Sequence, residues 1–218
     1  MNVDSAKSST VIVKRFLALG ALWVLGLVHT SLSIAVESSA EPPRKILFVG
    51  NSFTYYNRSI HYYVGGLLIA AEEYLPGKTN LRSMTISGGR LREHEPGLSA
   101  MVQREQWDTV ILQGYSTGPI DPDTAPGFRE AAKRLSETVR ANGAEPAFLM
   151  TWPYRGRLDM TGPLAATYTE IGFELDAPVL PVGIAFARSI NDYPEIELYV
   201  PDVEGFNETG DEIGRAHV

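Results

Sequence analysis

Cysteine is absent from all 218 residues, which excludes a disulfide framework and any thiolate-ligated metal. Histidine is nearly as scarce, with four in the chain. Only His61 and His94 lie between the two termini, and without convergent carboxylate spacing they make no metal site. Cations are also in deficit: 19 Lys plus Arg face 26 Asp plus Glu, a formal charge of −7. No Lys/Arg-rich run occurs outside the extreme N-terminus, so the electrostatic footprint of a nucleic-acid binder is missing. There is no internal repeat, no low-complexity tract and no dinucleotide-binding glycine fingerprint. With 44% hydrophobic and 21% charged residues, what remains is an ordinary globular composition.

The two ends read differently from the middle. Lys14 and Arg15 precede an apolar run from Phe16 to Val28, and Ser33-Ile34-Ala35 supplies small residues for cleavage. Residues 1–35 are therefore expected to be an export signal, which makes the protein secreted or periplasmic. An uncleaved N-terminal anchor reaching Val36 is the alternative, and it would be the chain's one membrane contact. Residues 36–44 follow as an acidic, Pro-containing linker. At the other end, Ile213-Gly214-Arg215-Ala216-His217-Val218 can be back-translated as ATCGGAAGAGCACACGTC, a widely used sequencing-library adapter. Residues 213–218 are accordingly expected to be an artefact of a gene cut short, and a natural charged tail is the alternative.

Between the ends, short apolar runs alternate with helical patterns. The strands fall at Ile46–Val49, Leu81–Ile86, Thr109–Leu112, Ala147–Met150 and Val179–Val182, with helices at His61–Tyr74 and Ala125–Ala141. Strand-helix-strand alternation predicts a parallel sheet covered on both faces, a three-layer α/β/α sandwich of flavodoxin-like order. In such sheets ligands meet the carboxyl ends of the strands.

One segment stands out at such an end. Lys45-Ile46-Leu47-Phe48-Val49-Gly50 runs as a buried strand straight into Asn51-Ser52-Phe53-Thr54 and then a helix. A sharp turn there exposes a serine hydroxyl beside free helix N-terminal amides, which suits a nucleophile and an oxyanion. A serine that merely caps the turn fits the same spacing.

Gly50-Asn51-Ser52-Phe53-Thr54 resembles the nucleophile block of the SGNH/GDSL hydrolase (esterase) superfamily, in the variant with Asn in place of the usual Asp. The resemblance makes Ser52 the nucleophile and sets Asn51 beside the substrate. Thr85-Ile86-Ser87-Gly88-Gly89 is similar to the family's second block, which implies that the amides of Ser52 and Gly88 line the oxyanion hole, with Gly89 the adjacent choice. The third block, usually Gly-x-Asn-Asp, is replaced by Gln113-Gly114-Tyr115-Ser116. Gln113 or Ser116 would supply the missing donor, Gln113 being preferred, although a strand-terminal glutamine that satisfies loop carbonyls fits as well.

The fourth block should be Asp-x-x-His, the His acting as general base and the Asp orienting it. Asp202 falls in register, but Gly205 stands where His belongs, and glycine accepts no proton. Either Asp202 marks a degenerate, non-hydrolytic member, or the true block lay beyond the cut together with the last helix of the fold. The second is the expectation, so residues 45–212 form an incomplete SGNH hydrolase-like domain. Trp152 and Tyr154 follow the fourth strand and offer stacking surface for a sugar ring or acyl group, unless they only close the core. The resemblance thus implies a serine ester hydrolase without cofactor or metal. Its substrates would be small esters such as acetylated carbohydrate, and this chain would be nearly inactive as it stands. A non-catalytic carbohydrate-binding module is the alternative.

Overall fold

The computed structural model describes residues 41–199. The expected export signal, Asp202 with its block, the final helix and residues 213–218 lie outside the described residues.

Five strands, β1 (Lys45–Gly50), β2 (Asn80–Thr85), β3 (Thr109–Gln113), β4 (Glu145–Leu149) and β5 (Val179–Leu180), form one sheet in the order β2-β1-β3-β4-β5. Every pairing is parallel. This is the flavodoxin-like order expected from the sequence. The helices are α1 (Ser52–Tyr55), α2 (Ile60–Ala70), α3 (Glu95–Arg104), α4 (Ala125–Ala141), α5 (Thr161–Glu174) and α6 (Val182–Asp192).

Side-chain alternation along the strands feeds two separate cores. Leu47, Val49, Val110, Leu112 and Phe148 face one way and pack with Leu98 of α3, Leu135 of α4 and Tyr168 of α5. Phe48, Ile111, Ala147 and Leu149 face the other way and meet Phe53, Trp152, Val64 of α2 and Phe186 of α6. The chain leaves β1 in one direction to reach β2 and then reverses to β3. Right-handed crossovers therefore put α2 on one face and α3, α4 and α5 on the other.

Helix α4 has the bounds expected from its sequence. Phe128, Ala131, Ala132, Leu135 and Val139 are all buried, the spacing of a single helix face. A proline in its first turn and Gly143 (φ +79) just past its end set the limits. Helices α3, α5 and α6 were not foreseen. Strand β5 stops at Leu180 because Pro181 caps α6, so Val182, expected in the strand, begins a helix instead. Helix α2 ends at Ala70, ahead of the expected Tyr74, and Glu72 follows in the left-handed region (φ 60).

Candidate active site

Strand β1 lies between β2 and β3, where the winding direction reverses, so the turn after Gly50 opens into the crevice where such sheets take ligands. The register pairs Gly50 with Thr85 and Val49 with Leu112. The loops that follow all three strands therefore converge on Ser52.

The turn itself is held by a buried polar network. Asn51 caps α1, its Oδ1 accepting from the Phe53 N–H at 3.1 Å. Its Nδ2 donates to the Gly89 carbonyl at 3.1 Å, which ties the second loop to the first. From β3, Gln113 Oε1 accepts the Asn51 N–H at 3.0 Å and the Thr54 hydroxyl at 2.7 Å. Gln113 Nε2 donates to Asn51 Oδ1 at 2.9 Å and to the Gly114 carbonyl. Asn51, Thr54 and Gln113 are all buried, where an unpaired amide is costly, so this satisfied network fixes one conformation. Gly50 is required for a steric reason: a Cβ there would collide with Gln113 Oε1 and Thr54 Oγ1.

Ser52 is partly exposed, and its Oγ meets no hydrogen-bond partner among the described residues. Its N–H, at the first position of α1, is likewise without an acceptor there. The two glycines of the second loop divide. Gly89 is buried and its N–H donates to the Ile86 carbonyl at 2.9 Å, whereas Gly88 is exposed in the left-handed region (φ +65) with its N–H unengaged. Two amides, on Ser52 and on Gly88 of the loop after β2, are thus free together with the Ser52 hydroxyl.

The expected third donor is not arranged as the sequence suggested. Both hydrogens of the Gln113 amide are spent on Asn51 and Gly114, so Gln113 braces the nucleophile turn and does not project a donor into the crevice. This corrects the preferred reading of that residue. Ser116 is buried and its hydroxyl pairs with the Tyr154 hydroxyl at 2.6 Å, joining the loops after β3 and β4. The Ser116 carbonyl also accepts from Thr151 Oγ1 at 3.1 Å.

Trp152 is corrected too. It is 3% exposed, stacked on Phe53 at 4.3 Å on one side and on Phe186 at 4.7 Å on the other, so it offers no face to a ligand. Its work is to anchor the residue next to Ser52. Tyr154 remains half-buried, packed against both cores. Thr54 and Tyr168 were missed. Fully buried, the Tyr168 phenol accepts the Gly114 N–H at 3.3 Å, and burial pushes its pKa up to about 12.

Neither described histidine serves Ser52. His61 Nδ1 pairs with Ser59 Oγ at 2.7 Å, and Ser59 Oγ donates to the Thr54 carbonyl. His94 is buried with both ring nitrogens lacking a partner. Burial lowers its pKa, and the Glu93 carboxylate opposes the shift. Three successive non-glycine residues, Asn57, Arg58 and Ser59, hold positive φ (51°, 72° and 71°) after Tyr56, the residue that caps α1. Strain of this kind gathers at functional turns.

No protein-family model and no curated protein matches the chain. Solved structures do. A protein of Slackia heliotrinireducens assigned to the SGNH hydrolases is similar at 26% identity, with a TM-score of 0.59 over 74% of this chain and 89% of its own. The acetyl xylan esterase AlAXEase aligns at 13% identity and TM-score 0.56, covering 69% of this chain and 84% of that one. The esterase EstA from Pseudoalteromonas sp. aligns at 14% identity and TM-score 0.50, covering 63% and 76%. The chain has the SGNH hydrolase fold and is related to that superfamily.

Proposed function

We propose that this chain is an exported SGNH-type serine ester hydrolase acting on small acyl esters, in particular acetyl groups on carbohydrate. One observation carries the reading: an unengaged Ser52 hydroxyl stands at the carboxyl end of a central parallel strand, on a turn locked by Asn51 and Gln113, with its own N–H free and the free N–H of Gly88 on the adjoining loop. Ser52 Oγ attacks the ester carbonyl, the two amides stabilise the tetrahedral oxyanion, and its collapse breaks the ester C–O bond, releasing the alcohol with a proton and leaving acyl-Ser52 for water to hydrolyse. Removing one such donor typically costs about 10²- to 10³-fold in rate. The acetyl xylan esterase among the structural neighbours supports the substrate class.

The proton of Ser52 needs an acceptor. His61 and His94 are otherwise placed, and no Asp-x-x-His occurs in the 218 residues, so turnover by this chain is slow. The same observation favours the second reading, a carbohydrate-binding module without catalysis. Mass spectrometry after exposure to p-nitrophenyl acetate separates the two. An acetyl group trapped on the Ser52 peptide, and absent from Ser52→Ala, supports the hydrolase. No acetyl-Ser52, with equal background hydrolysis by both proteins, supports the binding module. Export is tested by the N-terminal sequence of the mature protein, which should begin after Ala35.

A further inference from the structure

On the loops that follow β2 and β3 lies a cleft lined by Arg90, Arg92, Tyr115 and Asp123, together with the buried apolar side chains of Leu91 and Phe128. Its two walls are continuous with the braces of the nucleophile. Arg90 directly follows Gly89, whose carbonyl holds Asn51, and Tyr115 stands two residues after Gln113. The cleft is therefore built on the same two loops that brace the Ser52 turn.

Its lining is cationic, with Arg90 and Arg92 against Asp123. In a chain of net charge −7, half of the described arginines, Arg82, Arg129, Arg134, Arg140, Arg155 and Arg157, meet carboxylates. Arg90 and Arg92, like Arg44, Arg58, Arg104 and Arg188, have no ion pair among the described residues, and they are the two that line one cleft together. The nearby carboxylates are largely occupied: Glu93 Oε2 accepts the Arg90 N–H at 3.1 Å, and Glu95 pairs with Arg134. Buried Leu91 between the two arginines fixes their backbone, and the Glu93 N–H to Arg90 carbonyl bond (3.0 Å) closes the 3₁₀ turn of Leu91–His94.

We propose that this cleft is a subsite for a carboxylate-bearing sugar, so that the substrate is an ester on an acidic carbohydrate. The inference rests on the esterase reading for its biological sense, but not for its measurement. Two guanidinium forks match a planar carboxylate. Asp123 is the single acidic side chain lining the cleft, and it can accept hydrogen bonds from ring hydroxyls. The apolar lining suits the C–H face of a pyranose.

The test compares binding of methyl β-D-glucuronoside with its neutral counterpart, methyl β-D-glucoside, by calorimetric or NMR titration of the 218-residue chain. The glucuronoside is expected to bind at least about tenfold tighter, as charge-assisted hydrogen bonds imply. That ratio should fall to near one in Arg90→Gln/Arg92→Gln and rise in Asp123→Asn, a gain that misfolding cannot produce. Ser52→Ala should leave the ratio unchanged. Equal binding of the two glycosides, or an undiminished ratio in a folded double arginine variant, overturns the proposal. Failure of Ser52 to take an acetyl group would overturn the esterase reading alone, because these titrations involve no hydrolysis.

Discussion

Gln113 and Asn51 exchange two hydrogen bonds across neighbouring strands, the Asn51 N–H to Gln113 Oε1 at 3.0 Å and Gln113 Nε2 to Asn51 Oδ1 at 2.9 Å. The pair is the foundation of the nucleophile turn. Gln113→Leu leaves the Asn51 N–H and the Thr54 hydroxyl buried without acceptors. Each such orphan costs about 1–3 kcal/mol. Urea unfolding should show a loss of roughly 2–4 kcal/mol, and an unchanged midpoint would refute the bracing role.

Gly50→Ala tests the same place by sterics. The new methyl would overlap Gln113 Oε1 and Thr54 Oγ1, so either the bonds or the backbone must shift. A destabilisation of about 1–3 kcal/mol is expected from overpacking. Acetylation of Ser52 should fall with it.

Trp152 and Tyr154, adjacent but for a proline, should respond in opposite ways. Trp152→Ala empties the slot between Phe53 and Phe186 and should cost about 3–5 kcal/mol. Tyr154→Phe removes the hydroxyl contact with Ser116, worth about 1 kcal/mol. Comparable thermal shifts for the two would contradict the buried stack.

Acid should weaken the fold through His94. Its folded pKa lies below the ordinary 6.5 because burial disfavours the cation. Above 6.5 both folded and unfolded histidine are neutral, so this contribution to stability is full. Below 6.5 the unfolded chain binds the proton first, and stability drops until the depressed folded pKa is reached. His94→Leu should flatten that part of the pH–stability curve measured by denaturant unfolding. A variant curve parallel to the wild type would show that His94 is not the group responsible.

The fold was legible because its central strands are apolar on both faces. Ile46–Val49 and Thr109–Leu112 admit little other than the interior of a parallel sheet. Three helices escaped notice because each carries breakers in its first turn: Pro96 and Gly97, Gly162 and Pro163, and Gly183. In a first turn these residues are tolerated, since the amides there have no helical partner. At the site, position was readable but direction was not. Gln113 lies at the end of β3, yet alternation from Ile111 puts its side chain on the face that carries α1, a signal that would have identified the brace. Nothing in the local sequence told that Trp152 would be sandwiched, since both ring partners come from other segments.

The bonds from Gln113 to Asn51 span 62 positions of chain. The geometry around Ser52 therefore cannot assemble locally while the polypeptide is still collapsing, and must await the meeting of β1 and β3. A partly folded chain thus displays no ordered hydroxyl, and reactivity at Ser52 becomes a reporter of completed sheet closure.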